Sequence, residues 1–271
     1  VTVTICIQLG LNMFLAFALA VSIGVLLGAV NGYLTNRFAI PPIITTIATM
    51  NLYYGLLIVL TKGKWIYALP SYFRSFAEVR ALTLYSDTVI PYGISIVTVI
   101  WFVLMVAAAL LLRYTRLGRS LYAVGGDPMS ARRIGMNVTR IQVFVYAFMG
   151  AMAAIAGIVQ ALLVQTVAPN SIVGKELGVI AAVVLGGASL VGGVGTILGT
   201  FFGVMLLAIV QNGMTLMKVS AVWYDVLVGL VIIISVGFSS YKQKKRNTSM
   251  RIDVRQDRKS TRLNSSHRIR S

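Results

Sequence analysis

The chain has 271 residues, of which 58% are hydrophobic and 11% are charged. Soluble domains carry about 25% charged residues, so this composition argues against a water-soluble globule. The formal net charge of +17 does not indicate a nucleic-acid partner, because residues 239–271 hold eleven of the 24 Lys and Arg residues and the others lie mostly between apolar runs. We expect an all-α polytopic membrane protein embedded in a lipid bilayer, with no nucleic-acid partner.

About seven apolar runs approach the roughly 20 residues that cross a bilayer. Proline disfavours a helical conformation in the residue before it, so Arg37, Pro41 and Pro42 separate the first two runs. In chain order, the predicted transmembrane helices cover residues 11–35, 43–61, 93–112, 142–164, 177–193, 196–216 and 221–238.

Two polar loops differ in charge and therefore predict the orientation in the membrane. The loop 113–140 has six arginines and one acid, whereas the loop 62–92 has four cations and two acids. The more basic loop is predicted to be cytoplasmic. Four spans follow it, an even number, so the C-terminus is also predicted to be cytoplasmic, and Val1 to lie near the outer face.

The loop 113–140 is predicted to contain a short helix over residues 128–134. Asp127 can accept backbone N–H bonds as an N-cap, and the proline after it suits the first helical position. Gly135 is a residue type that favours helix C-termini. Such a helix would expose Arg132 and Arg133. The alternative is an ordinary basic loop that obeys the positive-inside rule.

A cluster of glycines lies within the apolar run 177–210, where it would weaken a helix. In lipid, irregular backbone is tolerated only where protein buries it or where it lines a cavity. We predict an interruption over residues 186–195, which either flexes or serves static close packing of spans five and six. The helix-break and packing residues are Gly186, Gly187, Gly192, Gly193, Gly195 and Gly199.

Residue types that catalysis and metal binding need are scarce. Cys6 and His267 are the only cysteine and histidine, so no zinc-ligand spacing and no Ser–His–Asp or Cys–His set exists. Neither Gly63-Lys64 nor Gly174-Lys175 is followed by Ser or Thr, so there is no GxxxxGK[ST] phosphate loop. We expect no metal, no cofactor and no enzymatic activity in this chain.

Few polar residues lie within the predicted spans, and no Asp, Glu, Lys or Arg lies near a predicted bilayer centre. This argues against a proton- or sodium-coupled carrier, which commonly needs an ionisable relay in the membrane. A neutral, hydroxylated solute needs only a polar-lined path. Each candidate path residue could instead join helices by hydrogen bonds; the candidates are Asn31, Thr45, Thr46 and Asn51.

Three stretches together resemble one family of transporters. They are GAVNGYLTNRFAIPPIITTIATMNLYYGL (28–56), YAVGGDPMSARRIGMNV (122–138) and ELGVIAAVVLGGASLVGGVGTILGTFFG (176–203). These stretches are similar to the permease subunit of bacterial ABC sugar importers of the ribose type, a group that includes autoinducer-2 importers. Met129 and Ser130 depart from the small residues that are more usual in that family.

The resemblance implies a permease-like bundle in the bacterial inner membrane that passes a sugar or sugar-like solute inward. Its partners would be cytoplasmic ATP-binding subunits, an extracytoplasmic solute-binding protein and a second permease chain, identical or similar. The alternative is a carrier or channel that works without an ATPase. The segment 122–138, here called the coupling segment, would dock on the ATPase through residues that include Gly125, Gly126, Asp127, Pro128, Ala131, Arg132, Arg133 and Gly135.

The same resemblance suggests a domain organisation. Family members have additional N-terminal spans, so two to three helices are expected to precede this chain. Residues 1–240 are predicted to be the permease domain, with a cytoplasmic coupling loop at 113–140. Residues 241–257 are predicted to be a basic cytoplasmic tail. Residues 258–271 are polar and without periodicity, and are expected to be a non-native or disordered tail.

Overall fold

The structure is a computed structural model that describes residues 12–67, 80–84, 92–169, 172–190, 192–220, 222–235 and 237. The predicted tails at 241–257 and 258–271 lie outside the described residues. In the described part of the chain, two strands, β1 (Arg80–Leu84) and β2 (Tyr92–Ser95), pair antiparallel. The helices are α1 (Met13–Arg37), α2 (Pro42–Thr61), α3 (Ile96–Tyr114), α4 (Arg116–Gly126), α5 (Pro128–Arg133), α6 (Val138–Val164), α7 (Glu176–Leu185), α8 (Ile197–Leu216) and α9 (Val222–Ser235).

Each predicted span has an apolar helix at its place, which confirms the all-α membrane fold. Five helices (α1, α2, α3, α6 and α8) are long and apolar enough to cross a membrane, and α7 and α9 are shorter. Three boundaries differ from the prediction, and one of them is the start of α6 at Val138, four residues before the predicted residue 142. Strand β2 occupies residues 92–95, so the third span begins at Ile96, and the predicted fifth span ends early, at Leu185. At 1.5 Å per residue, α7 is about 15 Å long, half the hydrocarbon thickness.

The chain divides into two compact units, residues 1–174 and 175–271. In the first unit, α1 packs along α6 through small residues at every fourth position, which share one face because four residues make about one turn. Leu162 packs near the start of this row and Val143 near its end, so the two helices run antiparallel. We call this row the small-residue stripe; its members are Ala16, Ala20, Gly24, Gly28 and Gly32.

The stripe brings the two backbones into direct contact. A Cβ atom built on Gly24 would lie 2.6 Å from the carbonyl oxygen of Gly150 and 2.7 Å from the Cβ of Ala154. A Cβ on Gly28 would overlap the carbonyl oxygen of Tyr146. Lipid tails are as apolar as the helices, so helix association in a bilayer depends on such close van der Waals contact. The stripe therefore fixes α1 on α6.

The segments that follow α2 and α6 pair with each other. Ile66 and Val167 exchange two backbone hydrogen bonds of 3.0 Å each. The first residue beyond each helix, Lys62 or Gln165, turns the chain by adopting a left-handed conformation, with φ of +51° and +56°. The ends of these two helices consequently lie side by side.

In the second unit, α7 and α8 form an antiparallel hairpin, and α9 contributes to its small core. Ala181 and Ala182 of α7 are buried with Leu207 of α8 and Val228 of α9. A Cβ on Gly203 would overlap the carbonyl oxygen of Ala182, so the two helices of the hairpin also approach through glycine.

Candidate functional site

The coupling segment contains a short helix that begins where the sequence predicts. Asp127 is the N-cap of α5: its Oδ1 accepts a hydrogen bond of 2.9 Å from the Met129 N–H, and its Oδ2 accepts one of 2.5 Å from the Ser130 hydroxyl. Hydrogen bonds from the side chain and backbone of Ser130, then from the Met129 backbone, hold the pKa of the Asp127 carboxyl below its usual range, and Arg133 adds to this effect.

The end of α5 is closed by two backbone hydrogen bonds. The helix ends at Arg133, one residue before the predicted Ile134, which is its C-cap. Gly135 has φ of +85° and donates to the carbonyl of Arg132 at 3.0 Å, while Met136 donates to that of Ala131 at 3.1 Å. This is the Schellman pattern, in which a left-handed glycine stops the helix.

A small apolar core fixes α5 to its neighbours. Val124 of α4, Ala131 of α5 and Val138 of α6 are buried together, and Met136 and Ile141 pack against them. Ala131 is only 2% exposed. The family resemblance groups Ala131 with the docking residues, but its side chain is enclosed, so it packs α5 against the neighbouring helices and is not available to a partner.

The outer face of α5 combines positive charge with apolar surface. Arg132 and Arg133 are exposed, as predicted, and they lie beside Met129 (63% exposed) and Ile134 (72% exposed). We call these four residues the docking face. Gly125 and Gly126 are the last residues of α4 and place no side chain between the two short helices.

The N-cap of α6 is an asparagine rather than the nearby threonine. Thr139 is a plausible N-cap for this span from its residue type, but the helix begins at Val138 and Asn137 is the cap. The side-chain oxygen of Asn137 accepts a hydrogen bond of 3.1 Å from the Arg140 N–H. Asn137 takes the capping position because it directly follows Met136, the last residue of the Schellman turn after α5.

The cap on α5 leads to a prediction about pH. Because the pKa of Asp127 is lowered in the folded state, its stabilising contribution is present above the usual pKa of aspartate and is lost as the pH falls through the lowered value. We expect faster hydrogen–deuterium exchange in peptides covering α5 after Asp127→Ala at neutral pH, and little change after Asp127→Asn, which caps equally well. On acidification, protection beyond intrinsic rates should fall in the wild type but not in Asp127→Asn. Equal exchange in all three proteins would contradict this role.

The glycine cluster forms the turn between α7 and α8. After Leu185, Gly187 has φ of +87° and donates to the carbonyl of Val184 at 2.9 Å, and Ala188 donates to that of Val183 at 3.2 Å, which again is a Schellman ending. Gly192 and Gly193 also have positive φ, of +102° and +74°. The hydroxyl of Thr196 then caps α8 by accepting from the Gly199 N–H at 3.0 Å.

The six predicted glycines divide into two kinds. Gly187, Gly192 and Gly193 supply turn conformations that other residues rarely adopt. Gly186 and Gly199 instead touch across the hairpin, because a Cβ on either would overlap the carbonyl oxygen of the other. Gly195 lies beside Ala188, whose Cβ would be 3.2 Å from an added Cβ. Whether the interruption moves during transport stays a prediction.

A matched pair of substitutions in α8 tests the close approach. Gly199→Ala should force α8 away from α7, since the added Cβ would meet the backbone of Gly186, and it should lower stability by about 1–3 kcal/mol. Gly213→Ala in the same helix meets no atom within 4 Å and should be neutral or stabilising. Thermal unfolding in detergent compares them, and equal melting temperatures would exclude backbone contact as the function of Gly199.

Predicted path residues are not gathered into one polar surface. Three of these side chains donate to backbone carbonyls four residues earlier in the chain. Thr45 donates to Pro41 at 3.5 Å, Thr46 donates to Pro42 at 2.9 Å, and Asn51 donates to Ile47 at 3.0 Å. Thr45 is buried and Asn51 is exposed. Asn31 accepts a hydrogen bond of 3.4 Å from the hydroxyl of Tyr53, which joins α1 to α2. This contact supports the helix-joining alternative for Asn31, and nothing in the sequence marks Tyr53 as its partner.

Comparisons with known proteins relate the chain to transport permeases. A family model described as "Branched-chain amino acid transport system / permease component" matches residues 1–236. The autoinducer 2 import system permease protein LsrC of Yersinia enterocolitica (serotype O:8 / biotype 1B) is 38% identical over 86% of this chain and 62% of its own length. LsrC of Yersinia pseudotuberculosis (serotype O:3) is 37% identical over 86% of this chain and 64% of its own. The chain thus spans less than two thirds of these relatives. No solved structure matches it.

Proposed function

The chain belongs to the family of permease components of branched-chain amino acid transport systems, and we propose that it acts in a binding-protein-dependent ABC importer. In this importer the chain would lie in the bacterial inner membrane and pass a solute inward while partner subunits hydrolyse ATP. The observation that carries this proposal is the structure of the coupling segment. Its short helix α5 is capped at both ends, packs on a small buried apolar core and exposes the docking face.

The geometry of α5 suits the transmission of force. A helix that is to move two membrane spans must be fixed to them and must also present a surface to a partner. The core around Ala131 joins α5 to the start of α6. Met129 and Ile134 offer apolar contact, and the two arginines offer directional hydrogen bonds to an acidic surface. We propose that ATP-binding subunits dock here through residues 125–135.

The proposed solute is neutral and sugar-like, and autoinducer 2, which the names of the relatives give, is the first candidate to test. In the described helices long enough to span a membrane, charged residues lie only at the ends, at Arg37, Arg113 and Arg140. A zwitterionic amino acid would need charged partners in the pathway, because isolated charges in an apolar interior are costly. This distribution favours a hydroxylated solute over the amino acids in the family's description.

The proposed orientation places the coupling loop 113–140 and the C-terminus in the cytoplasm. The pairing of Ile66 with Val167 supports the number of crossings between these segments, because it requires the segments after α2 and α6 to lie on one side. The basic loop 113–140 is what favours the outer side for both of them. The outer partner would be a solute-binding protein. A second permease chain, identical or similar, would complete the pathway.

The experiment that tests this function uses the full-length protein that contains this chain, purified from its native membrane. We expect an ATP-binding subunit to copurify, and vesicles that contain the complex and its binding protein to take up autoinducer-2 only with ATP. An excess of leucine should not compete. Uptake without ATP by the permease alone would overturn the proposal in favour of a secondary carrier, and competition by leucine would favour an amino acid importer.

A further inference from the structure

A tightly packed turn joins α3 to α4. The hydroxyl of Thr115 donates to the carbonyl of Leu111 at 2.6 Å and accepts from the Gly118 N–H at 3.0 Å. Gly118 is buried, and a Cβ there would overlap the carbonyl oxygen of Leu112. The first turn of α4 is therefore held directly against the last turn of α3. We call residues 111–119 the elbow.

The elbow contains three arginines, and all are exposed: Arg113, Arg116 and Arg119. The Arg113 guanidinium lies 5.6 Å from the centre of the Tyr114 ring. Arg119 donates from Nη1 to the carbonyl of Tyr114 at 3.5 Å, which uses one of its five N–H donors. The only acid of the loop 113–140, Asp127, is engaged by Met129 and Ser130. The charge of the elbow is therefore not neutralised within this loop.

Arg116 lies at a position where its own helix does not stabilise its charge. It is the first residue of α4, at the positive end of the helix dipole, where a cation is unfavourable. An arginine at this position gains nothing from its own helix. An external anion held between Arg116 and its neighbours would reverse that penalty.

The elbow lies where a membrane surface is expected. Helix α3 has 19 residues, which at 1.5 Å each is about 28 Å, close to the hydrocarbon thickness of a bilayer. Between the arginines, Tyr114 is 66% exposed and Leu117 is 44% exposed. Tyrosine and leucine beside cations at the end of a span match the boundary between acyl chains and headgroups.

We propose that the elbow binds anionic phospholipid headgroups. The guanidinium groups of Arg113, Arg116 and Arg119 hydrogen bond the lipid phosphate, and Tyr114 and Leu117 rest against the upper part of the acyl chains. Basic residues next to a span attract anionic lipid in this way. Bound lipid would fix the elbow, and with it the start of the loop that carries α5.

Native mass spectrometry of the full-length protein, extracted from membranes of phosphatidylcholine and phosphatidylglycerol, tests this proposal. The readout is the retained ratio of anionic to neutral lipid. Arg116→Gln/Arg119→Gln should lower this ratio by roughly 30-fold, since each arginine near an anionic surface contributes about a fivefold preference. The matched control, Arg132→Gln/Arg133→Gln, removes the same charge from the docking face and should leave the ratio unchanged.

Either of two results would overturn the proposal. Equal losses in both double variants would indicate diffuse charge attraction, and an unchanged lipid ratio with loss of the ATP-binding subunit in Arg116→Gln/Arg119→Gln would assign the elbow to a protein partner. Unfolding in neutral lipid checks that each variant is folded. If the double variant does not fold, the single variant Arg116→Gln is used for the same measurement, because it leaves the contact between Arg119 and the Tyr114 carbonyl intact. The lipid ratio needs no transport, so it is independent of the proposed function.

Discussion

Replacing Gly28 by alanine is expected to separate α1 from α6 and to destabilise the first unit. The added Cβ would overlap the carbonyl oxygen of Tyr146 and lie 3.0 and 3.2 Å from the Tyr146 carbonyl carbon and the Ala147 Cα. All three are backbone atoms, so no side chain can rotate away. Overpacking of this kind costs about 1–3 kcal/mol, whereas glycine to alanine in a helix gains only about 1 kcal/mol.

The chain offers a control for this prediction in the partner helix itself. Gly157 lies in α6, and a Cβ there meets no atom within 4 Å; Gly55 in α2 is equally open. Gly157→Ala and Gly55→Ala should therefore be neutral or slightly stabilising, while Gly28→Val should hardly accumulate as folded protein. Thermal unfolding of the full-length protein in detergent measures the differences. A Gly28→Ala protein as stable as Gly157→Ala would refute backbone contact along the small-residue stripe.

Reversing the charge of the docking face should abolish coupling without unfolding the protein. Arg132→Glu/Arg133→Glu changes two exposed side chains and leaves the buried base of Val124, Ala131 and Val138 intact. Charges of the wrong sign at an interface cost several kcal/mol. Because each 1.4 kcal/mol is a factor of ten, a cost of about 3 kcal/mol or more should lower binding of the ATP-binding subunit and ATP-driven uptake by at least about 100-fold.

The control for charge reversal lies in a different loop. Lys62→Glu/Lys64→Glu makes the same change in net charge on exposed residues, in the loop predicted to be outside. It should retain the ATP-binding subunit, and its melting temperature should match that of the Arg132/Arg133 variant. If the arginine variant still binds the subunit and transports normally, residues 132 and 133 do not belong to the coupling interface.

Local chemistry made much of the fold and of the coupling segment predictable from the sequence. Apolar runs became helices because backbone groups in lipid must be satisfied within their own segment. Asp127 and Gly135 begin and end α5 through hydrogen bonds to residues three or fewer positions away, so their effect does not depend on distant parts of the chain. The turn after Leu185 is of the same kind, since Gly187 supplies its conformation wherever the hairpin lies.

Only the tertiary structure decided which of these elements meet. Lipid-facing and helix-facing residues of a span are equally apolar, so hydropathy does not show that α1 packs on α6. The sequence shows that Gly24, Gly28 and Gly32 recur at every fourth position, but it does not show which helix they contact. The pairing of Ile66 with Val167 likewise joins residues distant in sequence, and Ala131 is enclosed by residues of the neighbouring helices rather than by its own helix. The sequence by itself determined the helices and their caps, because those contacts are local; long-range packing decided which faces are enclosed and which remain open to a partner.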